Sequence, residues 1–244
     1  MHPDLIAGLP IKTYGFCMAL GFLAAWQVLS WLCRRTGRAV EPLSNLLMLM
    51  MFSGIVGARL EYVREFWDRE FAANPFAIVK VWQGGLVFYG GLILAIAVFF
   101  AWCGVRRERV APVADLFVAV IPLAHAFGRV GCFFYGCCYG RISACACAVA
   151  FPRHSPAWGA QVSAKLIPET APAALPVLPT QLFEAAADLC LFADISLCPG
   201  QINRQNDLVC IFLEENFRLL KEFFVIGFHD EIIAALADLL SFCD

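Results

Sequence analysis

Arg129 stands in a stretch of residues otherwise apolar enough to lie in lipid. An arginine at the centre of a membrane span costs at least about 2.5 kcal/mol on insertion scales, so it must face a cavity or an anionic partner. Gly128 and Gly131 flank it and allow close approach by a helix or a ligand. Because a guanidinium forks across two oxygens, this pattern favours a fixed cation for a phosphate or carboxylate. The alternative is a structural ion pair with Asp115 or Glu184.

Two glycine pairs surround Tyr89: Gly84 with Gly85, and Gly90 with Gly91. These glycines destabilise an isolated helix and are typical of a broken or re-entrant segment that lines a water-filled cavity. Tyr89 would then offer its hydroxyl to a substrate. Tight packing between two helices explains the glycines equally well.

Other charged residues lie near the ends of apolar runs. Arg59 is at the outward end of the second run, and snorkelling of its side chain to the headgroups explains it when it is considered alone. Glu184 follows Thr180, a candidate helix N-cap, and a carboxylate within the membrane either pairs with an arginine or handles a proton. Arg218 and Glu222 stand four residues apart, where a solvated ion pair is the simpler explanation.

The chain has 12 cysteines, which are scattered through apolar runs. Their placement argues against a secreted disulfide scaffold and favours small, buried, unreactive side chains. A metal or redox site needs several thiolates in an electropositive setting. The densest cluster follows no recurrent zinc spacing and contains no histidine, so we predict no metal site and no cofactor. That cluster comprises Cys132, Cys137, Cys138, Cys145 and Cys147.

The elements that must position these residues are membrane helices. Of the 244 residues, 61% are hydrophobic and only 16% are charged, whereas soluble domains are nearer a quarter charged. The net charge of −2 gives no basic surface, so we expect no nucleic-acid partner. The composition predicts an all-α, polytopic transmembrane helical bundle.

Four apolar runs are long enough to cross the roughly 30 Å hydrocarbon core. Arginine clusters follow the first and third runs, so the positive-inside rule places both loops in the cytoplasm and the N-terminus outside. The fourth run is interrupted by Asp115, His125 and Arg129. The runs cover residues 13–33, 42–58, 81–105 and 110–139.

The rest of the chain is more polar. Residues 151–178 are rich in proline, serine and alanine, which indicates an extramembrane loop. Residues 181–198 are apolar but acidic in places, and the residues after 201 are more typical of amphipathic helices than of spans. We expect about five to seven spans in all. Residues 1–200 would form the transmembrane domain, and residues 201–244 a divergent C-terminal helical segment of that same domain.

Five sequence runs, taken in order, resemble the prolipoprotein diacylglyceryl transferase family. They read Ile-Lys-Thr-Tyr-Gly, Gly-Ala-Arg-Leu-Glu-Tyr, Val-Trp-Gln-Gly-Gly-Leu through Gly-Gly, Phe-Gly-Arg-Val-Gly through Gly, and Leu-Pro-Thr-Gln-Leu-Phe-Glu. They occupy residues 11–15, 57–62, 81–91, 127–140 and 178–184. The resemblance implies a bacterial plasma-membrane enzyme with about seven spans and its N-terminus outside, in agreement with the arginine loops.

The resemblance also implies a reaction. Such enzymes move the sn-1,2-diacylglyceryl group of phosphatidylglycerol to the lipobox cysteine thiol of a prolipoprotein. A thioether forms and glycerol phosphate leaves, in the first step of lipoprotein maturation. The implied partners are phosphatidylglycerol, prolipoprotein signal peptides with a lipobox cysteine, and membrane lipid.

Site residues follow from the same resemblance. Arg129 matches the family's essential arginine, and Tyr14 matches its tyrosine near the first span. The remaining catalytic candidates are Tyr89, Glu184 and Arg218. The candidates for binding phosphatidylglycerol are Arg129, Arg59, Gly90, Gly91, Gly128, Gly131 and Gly140.

Several positions depart from the family pattern. Tyr89 stands where well-known members have histidine, and a neutral phenol is a poor base near neutral pH. Cys132 replaces an asparagine, and Leu178 replaces a second histidine. Two alternatives therefore stay open. One is an inactive or repurposed member that binds anionic lipid, and the other is a small membrane anion transporter.

Overall fold

The computed structural model describes residues 13–72, 74–81 and 84–197. Within these ranges, ordered segments outside the helices form only isolated β-bridges, which confirms the all-α class. A π-helix over Trp67–Phe71 and a 3₁₀-helix over Pro75–Val79 separate the second and third α-helices. The α-helices are α1 (Thr13–Arg35), α2 (Val40–Glu65), α3 (Phe88–Arg106), α4 (Val110–Tyr135), α5 (Pro156–Ser163) and α6 (Thr180–Leu197).

The helices α1 to α4 are long and apolar enough to cross a membrane. Large apolar side chains point outward along them: Phe52 is 61% exposed, Ile93 67% and Phe100 55%. Contact with water would be unfavourable for such a surface, whereas lipid tails would cover it. The chain is therefore a multi-pass membrane protein, and the four predicted spans are confirmed. The outward position of the N-terminus stays a prediction.

Three predicted span boundaries are wrong. The third span begins at Phe88 rather than residue 81, because Gly84 (φ +92°) and Gly85 (φ +75°) have left-handed backbones that a helix cannot contain. The fourth ends just before Gly136, which has φ +81°. The second continues past residue 58 as far as Glu65, because charged residues at its end extend the helix beyond the apolar run.

The chain divides into two compact units, one of which is Trp26–Val113. Here α2 and α3 pack closely through glycines. A Cβ on Gly57 would overlap the carbonyl oxygen of Gly90, and a Cβ on Gly91 would lie 2.7 Å from the carbonyl oxygen of Gly54. Real Cβ atoms do not approach a carbonyl so closely, so these positions need glycine for the helices to meet.

The other unit consists of Met1–Ala25 and Ala114–Asp244, described over residues 13–25 and 114–197. The beginning of α1 packs on α4, where a Cβ on Gly21 would lie 2.8 Å from the Cβ of Phe127. The end of α6 also packs on α4, and the Ser196 hydroxyl donates to the carbonyl oxygen of Ala119 at 3.3 Å. The domain division predicted at residue 200 lies outside the described residues.

Residues 151–178, predicted as an extramembrane loop, belong to a small folded region that we call the head (residues 141–178). Its helix α5 is capped by Ser155, whose hydroxyl oxygen accepts a hydrogen bond from the Trp158 backbone at 3.2 Å. Phe151 and Val177 are fully buried and pack with Trp158 in a local core. The proline-rich composition hid this core because its apolar residues are spread along irregular chain.

Candidate functional site

Arg129 and Glu184 form an ion pair between α4 and α6. The two side chains are 25% and 27% exposed, so the pair is partly shielded from solvent. Pairing with Glu184 was one of the alternatives that the sequence left open. The Nε of Arg129 is buried and has no hydrogen-bond partner among the described residues. The guanidinium therefore keeps donor capacity for a second anion.

A second polar pair, His125 and Asp188, lies one helical turn away. Nδ1 of His125 is 2.6 Å from Oδ2 of Asp188, whose side chain is only 9% exposed. His125 and Arg129 are four residues apart on α4, and Glu184 and Asp188 are four apart on α6. Each helix thus presents two polar groups on one face. Matching spacing on two helices is the sequence signal that would have revealed this arrangement.

Tyr14 lies at the beginning of α1, against the same part of α4. A Cβ on Gly131 would be 3.1 Å from Cδ2 of Tyr14, so glycine at this position lets the two helices come close. Gly128 is less crowded, with Met18 Sδ at 3.4 Å from the equivalent position. Tyr14 is near enough to Arg129 for the two to interact electrostatically. The structure therefore brings two predicted catalytic residues together, and their roles stay predictions.

Three cysteine thiols meet beside Arg129. The Sγ atoms of Cys132, Cys137 and Cys138 all lie within 4.8 Å of one another. The chain turns back after α4 to achieve this, since Gly136 has φ +81° and Cys138 has φ +57°, which is uncommon for a residue with a side chain. The expectation of mostly buried cysteines is wrong for the described part of the chain. Of its nine free cysteines, three are buried: Cys17, Cys33 and Cys103.

The first turn of α6 fixes the backbone that carries two of these thiols. Gln181 is completely buried, and its Nε2 donates to the carbonyl oxygen of Cys137 at 2.6 Å. The Thr180 hydroxyl donates to the carbonyl oxygen of Cys138 at 3.0 Å. Gly140 lies against the same turn, where a Cβ would be 2.7 Å from Cγ2 of Thr180. The run at residues 178–184 therefore supports the loop after α4 as well as supplying Glu184.

Arg59, in the unit Trp26–Val113, is held by backbone carbonyls. Its Nε donates to Ile78 at 2.8 Å, and its Nη2 donates to Ala77 at 2.7 Å. Its Nη1 donates to Gly84 at 2.8 Å and to Gly85 at 2.9 Å. The residue is 7% exposed, so snorkelling does not describe it. Since a guanidinium has five N–H donors, one remains for any other partner.

The other predicted residues of this unit lie at the beginning of α3. Tyr89 is 64% exposed, and Gly90 and Gly91 pack against α2 as the helix-packing alternative required. The segment is broken at Gly84 and Gly85, before the helix and not within it. Arg218 and Glu222 lie outside the described residues.

Comparison with known proteins identifies the family to which the chain belongs. The profile of the prolipoprotein diacylglyceryl transferase family matches residues 4–238. The chain belongs to the prolipoprotein diacylglyceryl transferase family. This confirms the resemblance drawn from the five sequence runs.

Named members of the prolipoprotein diacylglyceryl transferase family align with most of the chain. Phosphatidylglycerol–prolipoprotein diacylglyceryl transferase 2 of Clostridium perfringens is 34% identical over 189 residues, 76% of this chain and 67% of that protein. The transferase of Rhodospirillum rubrum is 33% identical over 210 residues, 81% of this chain and 70% of that protein. For Xanthomonas oryzae the identity is 32% over 189 residues, with 73% and 63% covered. The aligned part thus spans about two thirds of these relatives' length.

Proposed function

We propose that this chain transfers the sn-1,2-diacylglyceryl group of phosphatidylglycerol to the lipobox cysteine of prolipoproteins, in the bacterial plasma membrane. The observation that carries the proposal is the state of Arg129, a membrane-helix cation paired with Glu184 that retains a buried, unsatisfied Nε–H. Such a group is suited to the phosphate of an anionic lipid. The relatives described above are named for this reaction.

The main requirement of this reaction is to stabilise the negative charge that develops on the leaving phosphate. The acceptor thiolate attacks the glyceryl carbon that bears the phosphate ester. A carbon–sulfur bond forms as the carbon–oxygen bond breaks, and the electron pair departs with the oxygen of glycerol phosphate. Negative charge therefore grows on the phosphate, where the Arg129 guanidinium would stabilise it.

Glu184 is proposed as a positioning residue for Arg129. In the absence of lipid it neutralises a cation that would be unfavourable within the membrane. When the phosphate binds, the carboxylate holds one edge of the guanidinium, and the remaining donors face the phosphate. Tyr14, against Gly131, is proposed to offer its hydroxyl to the substrate from the neighbouring helix.

In the unit Trp26–Val113, Arg59 and the glycines are proposed to maintain the backbone conformation and not to contact the substrate. Arg59 orders the segment that carries Gly84 and Gly85, and Gly90 and Gly91 allow α3 to lie against α2. Tyr89 and Arg218 remain candidates for direct contact with the substrate. We further propose that residues 1–200 form one catalytic domain with the N-terminus outside, and that residues 201–244 complete it.

The test is a transfer assay with the full chain in detergent. The protein is incubated with phosphatidylglycerol and a lipobox peptide, and both glycerol phosphate and a diacylglyceryl-modified peptide are measured. We expect both products from the wild type, none from Arg129→Ala, and normal turnover from Arg153→Ala, which removes an arginine of the head. No product from the folded wild type, under conditions where a Clostridium or Rhodospirillum relative turns over, would refute the proposal.

An inactive member that binds anionic lipid is the second candidate, and it is favoured by a tyrosine at position 89 in place of the family histidine. Vesicles of phosphatidylglycerol separate the two. Binding that depends on Arg129, without release of glycerol phosphate, would support the second candidate and exclude the first.

A further inference from the structure

The thiols of Cys132, Cys137 and Cys138 have no assigned role in the transfer reaction. Their mutual distances, all within 4.8 Å, are close to those of ligands on one metal ion. A tetrahedral zinc ion with zinc–sulfur bonds of about 2.3 Å separates its sulfurs by about 3.8 Å. Shifts of an ångström or less at flexible side-chain ends would therefore close the three sulfurs around an ion.

Hydrogen bonds from the first turn of α6 fix the backbone of the cluster. Gln181 is 0% exposed and donates from its Nε2 to the Cys137 carbonyl, and the Thr180 hydroxyl donates to the Cys138 carbonyl. Outer groups that fix the ligands in this way are typical of metal sites. Cys138 holds a left-handed backbone at φ +57°, a conformation that is unfavourable for a residue with a side chain.

A positive charge lies beside the cluster. The guanidinium of Arg129 interacts with the Cys138 thiol from the neighbouring turn of α4. A nearby cation stabilises a thiolate. A thiolate is the form of cysteine that binds metals.

We propose that Cys132, Cys137 and Cys138 bind one thiophilic metal ion, such as Zn²⁺, and leave its fourth position open for the thiol of the acceptor peptide. The second half of this inference rests on the proposed transferase function, whereas the first half does not. Three protein ligands and one open position are the arrangement of catalytic zinc sites, in contrast to the closed four-ligand structural sites.

The open position would provide a way to deprotonate the acceptor thiol, for which Tyr89 is a poor base. When a thiol replaces the water on the fourth position, its proton passes to that water and then to solvent, because a coordinated thiol is deprotonated outright. The metal-bound sulfur then attacks the glyceryl carbon, and the electron pair of the broken carbon–oxygen bond leaves with glycerol phosphate. The metal changes neither its charge nor its oxidation state, so no oxidant or reductant is needed. Arg129 offsets the negative charge of a zinc ion with three thiolates.

Metal binding is tested first, without lipid or peptide. The full-length protein is purified with reductant, stripped with a chelator and titrated with Zn²⁺ alone, and bound zinc is measured per chain. The background carries Cys145→Ala and Cys147→Ala, which removes an exposed pair of thiols. We expect about one tightly bound zinc. It should be lost in Cys138→Ser and Cys132→Ser and kept in Cys190→Ala, which removes an exposed cysteine of α6.

Two results would overturn the metal site. One is a wild-type background that binds no zinc, or whose binding survives Cys138→Ser and Cys132→Ser. The other is a disulfide among the three cysteines in protein purified without reductant that zinc does not prevent from forming. Helical circular dichroism checks that each serine variant is folded. Gln181→Glu is a second, independent variant that keeps all three thiols but removes the donor to the Cys137 carbonyl. It should weaken zinc binding without removing a ligand.

The open position is tested with Co²⁺ in place of Zn²⁺, since its absorption reports thiolate ligands. Adding a lipobox peptide should intensify the sulfur-to-cobalt band, and the same peptide with serine in place of its cysteine should leave it unchanged. An identical spectrum with both peptides would overturn the open position. If cobalt responds but no transfer product forms, the metal site stands and the proposed function fails. If transfer proceeds at full rate in stripped protein, the function stands and the role of the metal fails.

Discussion

The guanidinium of Arg59 lies directly over Gly85, to whose carbonyl oxygen its Nη1 donates at 2.9 Å. A Cβ on Gly85 would lie 2.7 Å from that Nη1 and 2.5 Å from Cε1 of Tyr62. The glycine is therefore required twice, for its φ of +75° and for the space that the guanidinium occupies. Arg59 and Gly85 together fix the conformation of the segment that precedes α3.

Gly85→Ala should destabilise the protein more than Gly84→Ala. Both glycines have a positive φ, so both substitutions introduce backbone strain of about 1–3 kcal/mol. Only Gly85 has neighbours within contact distance, since a Cβ on Gly84 would meet open space. Thermal unfolding of the two variants in detergent separates strain from steric overlap. Equal melting temperatures would show that the Arg59 contact contributes nothing.

Arg59→Lys should lower kcat and stability and leave the KM for phosphatidylglycerol nearly unchanged. A lysine can replace at most three of the four hydrogen bonds that Arg59 makes to carbonyls, and it cannot reproduce their planar fork. Transfer kinetics at varied lipid fraction in mixed micelles measure this. A rise in KM alone would instead assign Arg59 to the lipid phosphate.

Arg129→Lys should lower the rate of transfer by roughly 10²–10³-fold, as expected for loss of a donor to a developing oxyanion. The charge is kept, but the fork that pairs with Glu184, and that is proposed to hold a phosphate as well, is lost. The matched control is Arg153→Lys. The Arg153 guanidinium donates to the Glu169 carbonyl at 3.1 Å and lies 5.7 Å from the centre of the Trp158 ring. A similar loss in both variants would point to a general effect of replacing arginine.

Gly57→Ala should separate α2 from α3. Its Cβ would overlap the Gly90 carbonyl, which belongs to the backbone and cannot move aside, so overpacking should cost about 1–3 kcal/mol. Gly54→Ala, one turn earlier, is the control because its nearest neighbour is the Gly91 carbonyl at 3.9 Å. That variant should be neutral or gain up to about 1 kcal/mol from helix propensity. Unfolding in detergent would contradict the prediction if both variants behaved alike.

Cys145 should react with iodoacetamide at lower pH than an ordinary cysteine. Its Sγ is 2.8 Å from that of Cys147, and the hydrogen bond from the Cys147 thiol lowers the pKa of Cys145. A lowered pKa means more thiolate at a given pH, so Cys147→Ala should move the labelling profile to higher pH. Labelling of Cys190, followed by mass spectrometry in the same samples, should not change. Identical Cys145 profiles in both proteins would contradict the prediction.

The apolar runs were sufficient to predict the spans, because lipid exposure demands them, but not where helices end. Gly84, Gly85 and Gly136 end helical structure through left-handed backbones, whereas Gly57 and Gly90 serve close packing. A glycine looks the same in sequence in either role. The division into two units was hidden for a related reason, since its limits at residues 25 and 113 fall inside α1 and α4.

The candidate site was predictable to the extent that charge is rare in lipid. An arginine within a span needs an anionic partner or a cavity, and Glu184 is one of the two carboxylates that the sequence offers as that partner. The three-thiol cluster was not predictable, because it depends on the turn after α4. Neither φ of +81° at Gly136 nor φ of +57° at Cys138 can be inferred from a four-residue gap between Cys132 and Cys137.

The head has its two ends tied to each other. Gly140 donates from its backbone N–H to the carbonyl oxygen of Leu178 at 2.9 Å, and Leu178 donates to that of Arg141 at 3.0 Å. The head therefore leaves and rejoins the rest of the chain at nearly one place, and it is further held there by the Ala157 backbone, which donates to the Gly136 carbonyl at 3.1 Å, and by Phe133, which packs on its core. Chain added at an exposed turn of the head, away from these contacts, should leave the membrane helices in place, so a reporter protein could be grafted there.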